Sequence, residues 1–168
     1  MPNPPLHYYQ ARAVQRECRG LLVSGSTGEV IARRFPKFFN LNERDESQLH
    51  TIQATVPGGI EPGVCKEKLD GMLCSAVLLT AAAAASADAN GRVVWCTRRC
   101  RSDAIERFVA DRPAYSDLAR WALASGATPI FEWCPKAHVC GVLRHTTSHL
   151  VLLELRDNVT GRYHVLLT

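Results

Sequence analysis

The amino-acid sequence predicts an α+β chain built on antiparallel sheet. Short β-rich runs are joined by glycine-containing turns, two helical segments fall together near the middle, and no strand–helix alternation of a doubly wound fold runs through the chain. The 168 residues suit one domain, and no 20 to 50 residue repeat divides them. With 46% hydrophobic and 21% charged residues, the composition excludes disordered and fibrous classes. The net charge of +4 has the sign expected of a nucleotide or nucleic-acid binder.

The N-terminal Met1-Pro-Asn-Pro-Pro lacks a basic segment leading into an apolar run, and no stretch approaches bilayer-spanning length, so an intracellular protein is expected. Residues 1–15, with three prolines and two tyrosines, read as an irregular lead-in to a core over 16–168. Cys18 to Ser24 and Glu29 to Phe35 read as two strands around the turn Gly25-Ser-Thr-Gly28. Residues 44–64 read as a loop or short helix. Met72 to Leu79 is a strand-length apolar run, and Arg92 to Thr97 a returning strand. Between them an alanine-rich stretch ends in the hairpin signal Asp88-Ala-Asn-Gly91.

Asp103 and Glu106 have the spacing of a capping box for a helix carrying Ile105, Phe108 and Val109. After Pro113 a second helix holds Leu118, Trp121 and Leu123 at core-packing spacing and stops near Gly126. Ala127 to Cys134 is an apolar strand with one carboxylate, Glu132, which must face solvent or meet a specific donor or cation. His149 to Leu155 and Arg162 to Leu167 read as strands around the turn Arg156 to Gly161, so the chain ends in a strand with an exposed sheet edge.

Seven cysteines, an odd number irregularly spaced, fit reduced and mostly buried thiols. Cys96-x3-Cys100 and Cys134-x5-Cys140 could furnish four zinc ligands, but the spacings match no common zinc module, and no metal ligand is assigned.

Chemistry concentrates at Cys65-Lys-Glu-Lys68-Leu-Asp70-Gly71. A lysine amine attacks phosphorus only when neutral, so a nucleophilic Lys68 calls for cations and burial to lower its pKa. Thr97-Arg-Arg-Cys-Arg101 supplies three arginines in four positions. No glycine-rich phosphate loop occurs, so bound phosphate must be held by Lys and Arg side chains.

The ordered series Glu17-Cys-Arg-Gly20, Phe35-Pro-Lys-Phe-Phe-Asn-Leu-Asn-Glu43, Lys66 to Gly71, Thr97 to Ser102, Phe131-Glu-Trp133, and Leu150 to Asn158 with Thr160-Gly161 resembles the phage-type ATP-dependent RNA ligases. These are the tRNA-repair branch of the covalent nucleotidyltransferases, and the resemblance runs from about Glu17 to Tyr163. It implies an antiparallel-sheet, ATP-grasp-like nucleotidyltransferase core, with ATP and Mg²⁺ as cofactors and RNA 5′-phosphate and 3′-hydroxyl ends as partners. Lys68 matches the lysine that takes AMP from ATP, and Asp70 and Gly71 complete its motif. Arg19 and Lys37 match basic positions facing the nucleotide phosphates. Arg98 and Arg99 fall at a basic motif near phosphate or the RNA end. Glu132 matches a carboxylate near the ribose, and Leu152 and Leu153 fall in a strand walling the adenine pocket.

Met72 stands where the family usually has a hydroxyl residue. The family's later Glu-Gly and Lys-x-Lys motifs do not follow before Thr168, so the resemblance implies a partial domain, truncated at its C-terminus. Such a domain could be completed by a second chain, or could be an inactive nucleotide- or RNA-binding remnant.

Overall fold

A computed structural model of the chain describes residues 6–55, 67–79, 91–136 and 142–164. It is an α+β structure of antiparallel sheets. In chain order come α1 (Leu6–Glu17), β1 (Leu22–Val23), β2 (Val30–Ala32), a 3-10 turn (Asp45–Ser47), α2 (Leu49–Thr55), β3 (Met72–Leu79), β4 (Arg92–Thr97), α3 (Asp103–Ala110), α4 (Pro113–Ala124), β5 (Ala127–Cys134) and β6 (His149–Asp157). Strands β4-β3-β5-β6 form one sheet, and β1-β2 form a separate hairpin. No helix among the described residues is long and apolar enough to cross a membrane.

Side chains alternate across the four-stranded sheet, which fixes what each face meets. Cys74 and Ala76 of β3, Trp95 of β4, and Phe131 and Trp133 of β5 point to one face, where Ile105 and Val109 of α3 and Ala119 of α4 cover them. The ring of Trp95 lies 5.2 Å from that of Phe131, and Phe108 lies 4.7 Å from Trp133. Val77 and Val94 point the other way, onto Ala32 of the hairpin. The sheet is thus a middle layer, with helices below and the hairpin above.

Several expectations need correction. The N-terminal lead-in is not irregular, since α1 runs through Leu6–Glu17. Its prolines stop at Pro5 and leave the following residues free to propagate a helix. The cap of α3 is Ser102, whose Oγ accepts the Ile105 N–H at 3.4 Å. Glu106 instead receives Arg101, the Trp95 N–H and Arg92. Trp121 is exposed, because α4 buries Ala119 and Ala122. Of the expected strand Arg162 to Leu167, the described residues form a bridge between Arg156 and Tyr163, and its end lies outside them. The alanine-rich stretch lies outside the described residues, although β3 and β4 pair antiparallel as a hairpin connection requires. Of the described cysteines, Cys74 and Cys134 are buried but Cys18 and Cys100 are exposed.

A polar network missing from the sequence reading ties the layers together. Buried Arg156 donates to Gly161 O (2.8 Å), to Glu17 Oε1 (2.7 Å) and to Arg34 O. Buried Arg34 donates to Ser75 Oγ (2.6 Å) and to Thr97 O (2.7 Å). Such bonds offset the cost of burying the two charges, although Arg34 Nη2 is buried without a hydrogen-bond partner among the described residues.

Candidate functional site

The segment Glu67 to Gly71 leads into β3, and β5 lies directly beside that strand, pairing Leu73 with Glu132. The strand alternation puts Glu132 on the face opposite the helices. There its Oε1 accepts the Gly71 N–H at 2.9 Å. Gly71 is required by contact: a Cβ at that position would lie 2.4 Å from Trp133 O and 2.8 Å from Glu132 Cγ. Burial raises the Glu132 pKa, and the Gly71 N–H and the Lys68 charge oppose the shift. The expectation that this carboxylate meets a specific donor holds.

Asp70 adopts a left-handed conformation (φ 54°). One carboxylate oxygen pairs with the Lys68 ammonium, and the other accepts the N–H groups of Val142 (2.8 Å) and Leu143 (3.1 Å). Those contacts hold the Asp70 pKa down to about 2.

The environment of Lys68 differs from the expected one. Its side chain is 85% exposed, and its pKa is raised, first by the hydrogen bond to Asp70 and then by that carboxylate's charge. Burial lowers it by less than Asp70 raises it, and the net shift is upward.

Two cavities flank this segment along the chain. One, of about 620 Å³, is lined by Phe35, Phe38, Glu67, Leu153, Glu154 and Tyr163. The other, of about 350 Å³, is lined by Arg19, Met72, Leu73, Thr97, Arg98 and Arg99. Glu67 therefore opens on the aromatic cavity, while Met72 and Leu73 line the basic one. The Arg19 pKa is lowered by burial and then by the charge of Arg98. Its Nε and Nη1 are buried without a hydrogen-bond partner among the described residues. Like charges converge here on unpartnered N–H donors, groups that an anion complements.

The structure thus brings together Lys68, Asp70, Gly71 and Glu132, and separately Arg19, Arg98 and Arg99. The third arginine of the run, Arg101, is drawn off by Glu106. Exposed Lys37 stands with its ammonium 4.7 Å from the centre of the Phe39 ring, which Arg16 and Arg44 also approach. Leu152 packs into the core beneath the sheet, whereas Leu153 lines the aromatic cavity. A register shift in the β5–β6 ladder at Ile130/Phe131 lies beside this point. Tyr163 was not assigned from the sequence, although its place in a candidate strand near Arg156 was the available signal; the two rings Phe35 and Tyr163 stand 5.8 Å apart.

Fold and site therefore define an antiparallel α+β protein with a lysine–carboxylate pair whose chain neighbours line an aromatic and a cationic cavity. Residues 17–166 match the RNA ligase family, and the chain belongs to it. A Thermovibrio ammonificans protein named "Putative RNA ligase" is 33% identical over 156 residues, covering 89% of this chain and 36% of its own length. The chain thus spans about a third of that relative.

Proposed function

We propose that the chain is the nucleotide-accepting core of an ATP-dependent RNA ligase, a covalent nucleotidyltransferase in which Lys68 is the nucleophile. The observation that carries this reading is that the residues on either side of Lys68 to Gly71 in the chain, Glu67 and Met72, line the two cavities. Aromatic walls suit a purine, the unpartnered arginines suit phosphates, and the lysine lies between them in the chain.

In this reading the neutral Lys68 Nζ forms a bond to the α-phosphorus of ATP, the bond to pyrophosphate breaks, and the amine proton passes to solvent. An RNA 5′-phosphate oxygen then takes the AMP from Lys68. A 3′-hydroxyl attacks that 5′-phosphorus, releases AMP and seals the strand. Arg19, Arg98 and Arg99 bind and orient the phosphates, Glu132 holds the Gly71 backbone and faces the ribose, and Leu153 walls the base.

Mg²⁺ fits the site through oxygen donors. Both Asp70 oxygens are already engaged, so Glu132 with the ATP phosphates would hold the ion, which supplies neutralisation of phosphate charge. A domain boundary that includes residues 16–168 and completion by further motifs belong to the same proposal.

The test is incubation with α-labelled ATP and Mg²⁺, followed by denaturing electrophoresis. Acid-labile label on the wild type and none on Lys68→Ala is expected. Equal label on both would sink the assignment, and ATP or RNA binding without label would favour an inactive binding remnant.

A further inference from the structure

Cys134 closes β5 and His149 opens β6, and the ladder pairs them directly. Cys134 lies two positions beyond Glu132, so both strand-end side chains share the face that carries that carboxylate. His145, from the segment before β6, reaches the same place: one potential ligand atom from each of the three lies within 4.8 Å of the others. Cys134 is buried and both histidines are half-buried.

Each ring already has one nitrogen at a backbone carbonyl. His145 Nε2 lies 2.8 Å from Leu69 O, and His149 Nδ1 lies 3.1 Å from Thr147 O. Carbonyl oxygens only accept, so these nitrogens carry the protons. The lone pairs are left on His145 Nδ1 and His149 Nε2. Metal-binding histidines are typically fixed in this way, by a carbonyl on the other ring nitrogen. The His145-x3-His149 spacing is also one that zinc sites use. An edge-to-face packing of two rings, 5.1 Å apart, accounts for their proximity but not for the buried sulfur beside them.

We propose that Cys134, His145 and His149 bind a zinc ion, with water in the fourth position. A thiolate and two imidazoles select zinc over the hard cations that bind nucleotide phosphates. On binding, the Cys134 thiol passes its proton to solvent and the sulfur bonds to the metal. The location gives the ion a purpose. His145 and Cys134 (3.9 Å) both contact Leu69 O, and Val142 and Leu143 hold Asp70. Zinc would fasten the segment 142–149 and the ends of β5 and β6 to the chain that presents Lys68. That clamping role rests on the ligase reading; metal binding itself does not.

The full chain, purified without added chelator, should contain zinc equimolar with protein. Exchange with cobalt(II) should give the visible bands of a tetrahedral site and a near-ultraviolet thiolate-to-cobalt band. Cys134→Ser should lose the thiolate band. His145→Ala and His149→Ala should lose zinc on gel filtration while keeping the wild-type far-ultraviolet circular dichroism, which guards against reading an unfolded Cys134 variant as a ligand loss. Cys100→Ser, at an exposed cysteine outside the cluster, should keep both metal and spectrum. A wild type that binds neither zinc nor cobalt overturns the proposal, and so does an unchanged cobalt spectrum in the Cys134 and histidine variants. These readouts need no ATP, so a failed Lys68 labelling experiment and a missing zinc are separable results.

Discussion

Arg156 and Lys68 are both cations facing a carboxylate, yet the fold treats them in opposite ways. The Arg156 side chain is 6% exposed and meets three acceptors on three parts of the chain, whereas Lys68 is 85% exposed and, among the described residues, hydrogen-bonds to Asp70. The first arrangement resists change, because removing the cation strands buried acceptors. The second leaves its cation in water, which replaces what the Lys68 ammonium loses when the pair opens. The difference separates an ion pair that holds the fold together from one available for chemistry.

The largest effect should come from breaking the first arrangement. Arg156→Ala is expected to cost about 3 kcal/mol or more in urea unfolding, through the buried acceptors and the Glu17 charge left behind. Lys68→Ala should shift the urea midpoint far less than Arg156→Ala, since only the exposed pair with Asp70 is lost, while abolishing the covalent label. If both variants unfold alike, the distinction fails.

Gly71→Ala tests the rigid floor beneath Lys68. The new methyl meets Trp133 O, a backbone atom of a central strand that cannot withdraw, so a loss of about 1–3 kcal/mol is expected in the same assay. Unchanged stability would mean that β3 and β5 can separate at this point.

Arg19→Ala probes the basic cavity. Losing its charged donors should weaken binding of ATP by about tenfold, measured by titration calorimetry, with no loss of stability, because the side chain has unpartnered buried donors to shed. Stability falling while affinity holds would make Arg19 a structural residue.

The sheet was legible because hydrophobic runs bounded by Gly25, Gly28, Gly126 and Gly161 report strands and turns locally. Glu132 was legible as the one carboxylate in an apolar strand. The α1 helix was not, since the prolines of residues 1–5 precede a segment with little apolar periodicity. The Cys134, His145 and His149 cluster was not either. Strand register brings its first and last members together, and register depends on pairings between distant parts of the chain. The capping partner of α3 was misread by one residue because Ser102 and Asp103 are both good caps, and only backbone geometry decides between them. Leu152 and Leu153, both expected at the pocket wall, part ways for a related reason: facing depends on the ladder beside them, where the β5–β6 register shifts at Ile130/Phe131.

The smallest effect is the most informative about how Lys68 works. Asp70 raises the Lys68 pKa and has its own held to about 2, below its ordinary 3.8. A carboxylate with a lowered folded pKa contributes stability that is fully present above about pH 4 and is lost as pH falls through about 2. A lysine with a raised folded pKa contributes stability present below its unfolded value and lost as pH rises through the folded one. Asp70→Asn should therefore narrow its stability gap from wild type on acidification between pH 4 and 2, measured by urea unfolding at each pH. In the same variant more of Lys68 is neutral at any given pH, so the rate of lysyl-AMP formation should reach its plateau at lower pH than in the wild type. That shift in the profile is distinct from any loss in the plateau itself, which would reflect the weaker, uncharged acceptor that the Asn oxygen offers to the Val142 and Leu143 N–H groups. An unshifted profile would mean that bound ATP already breaks the Lys68–Asp70 pair before the amine reacts.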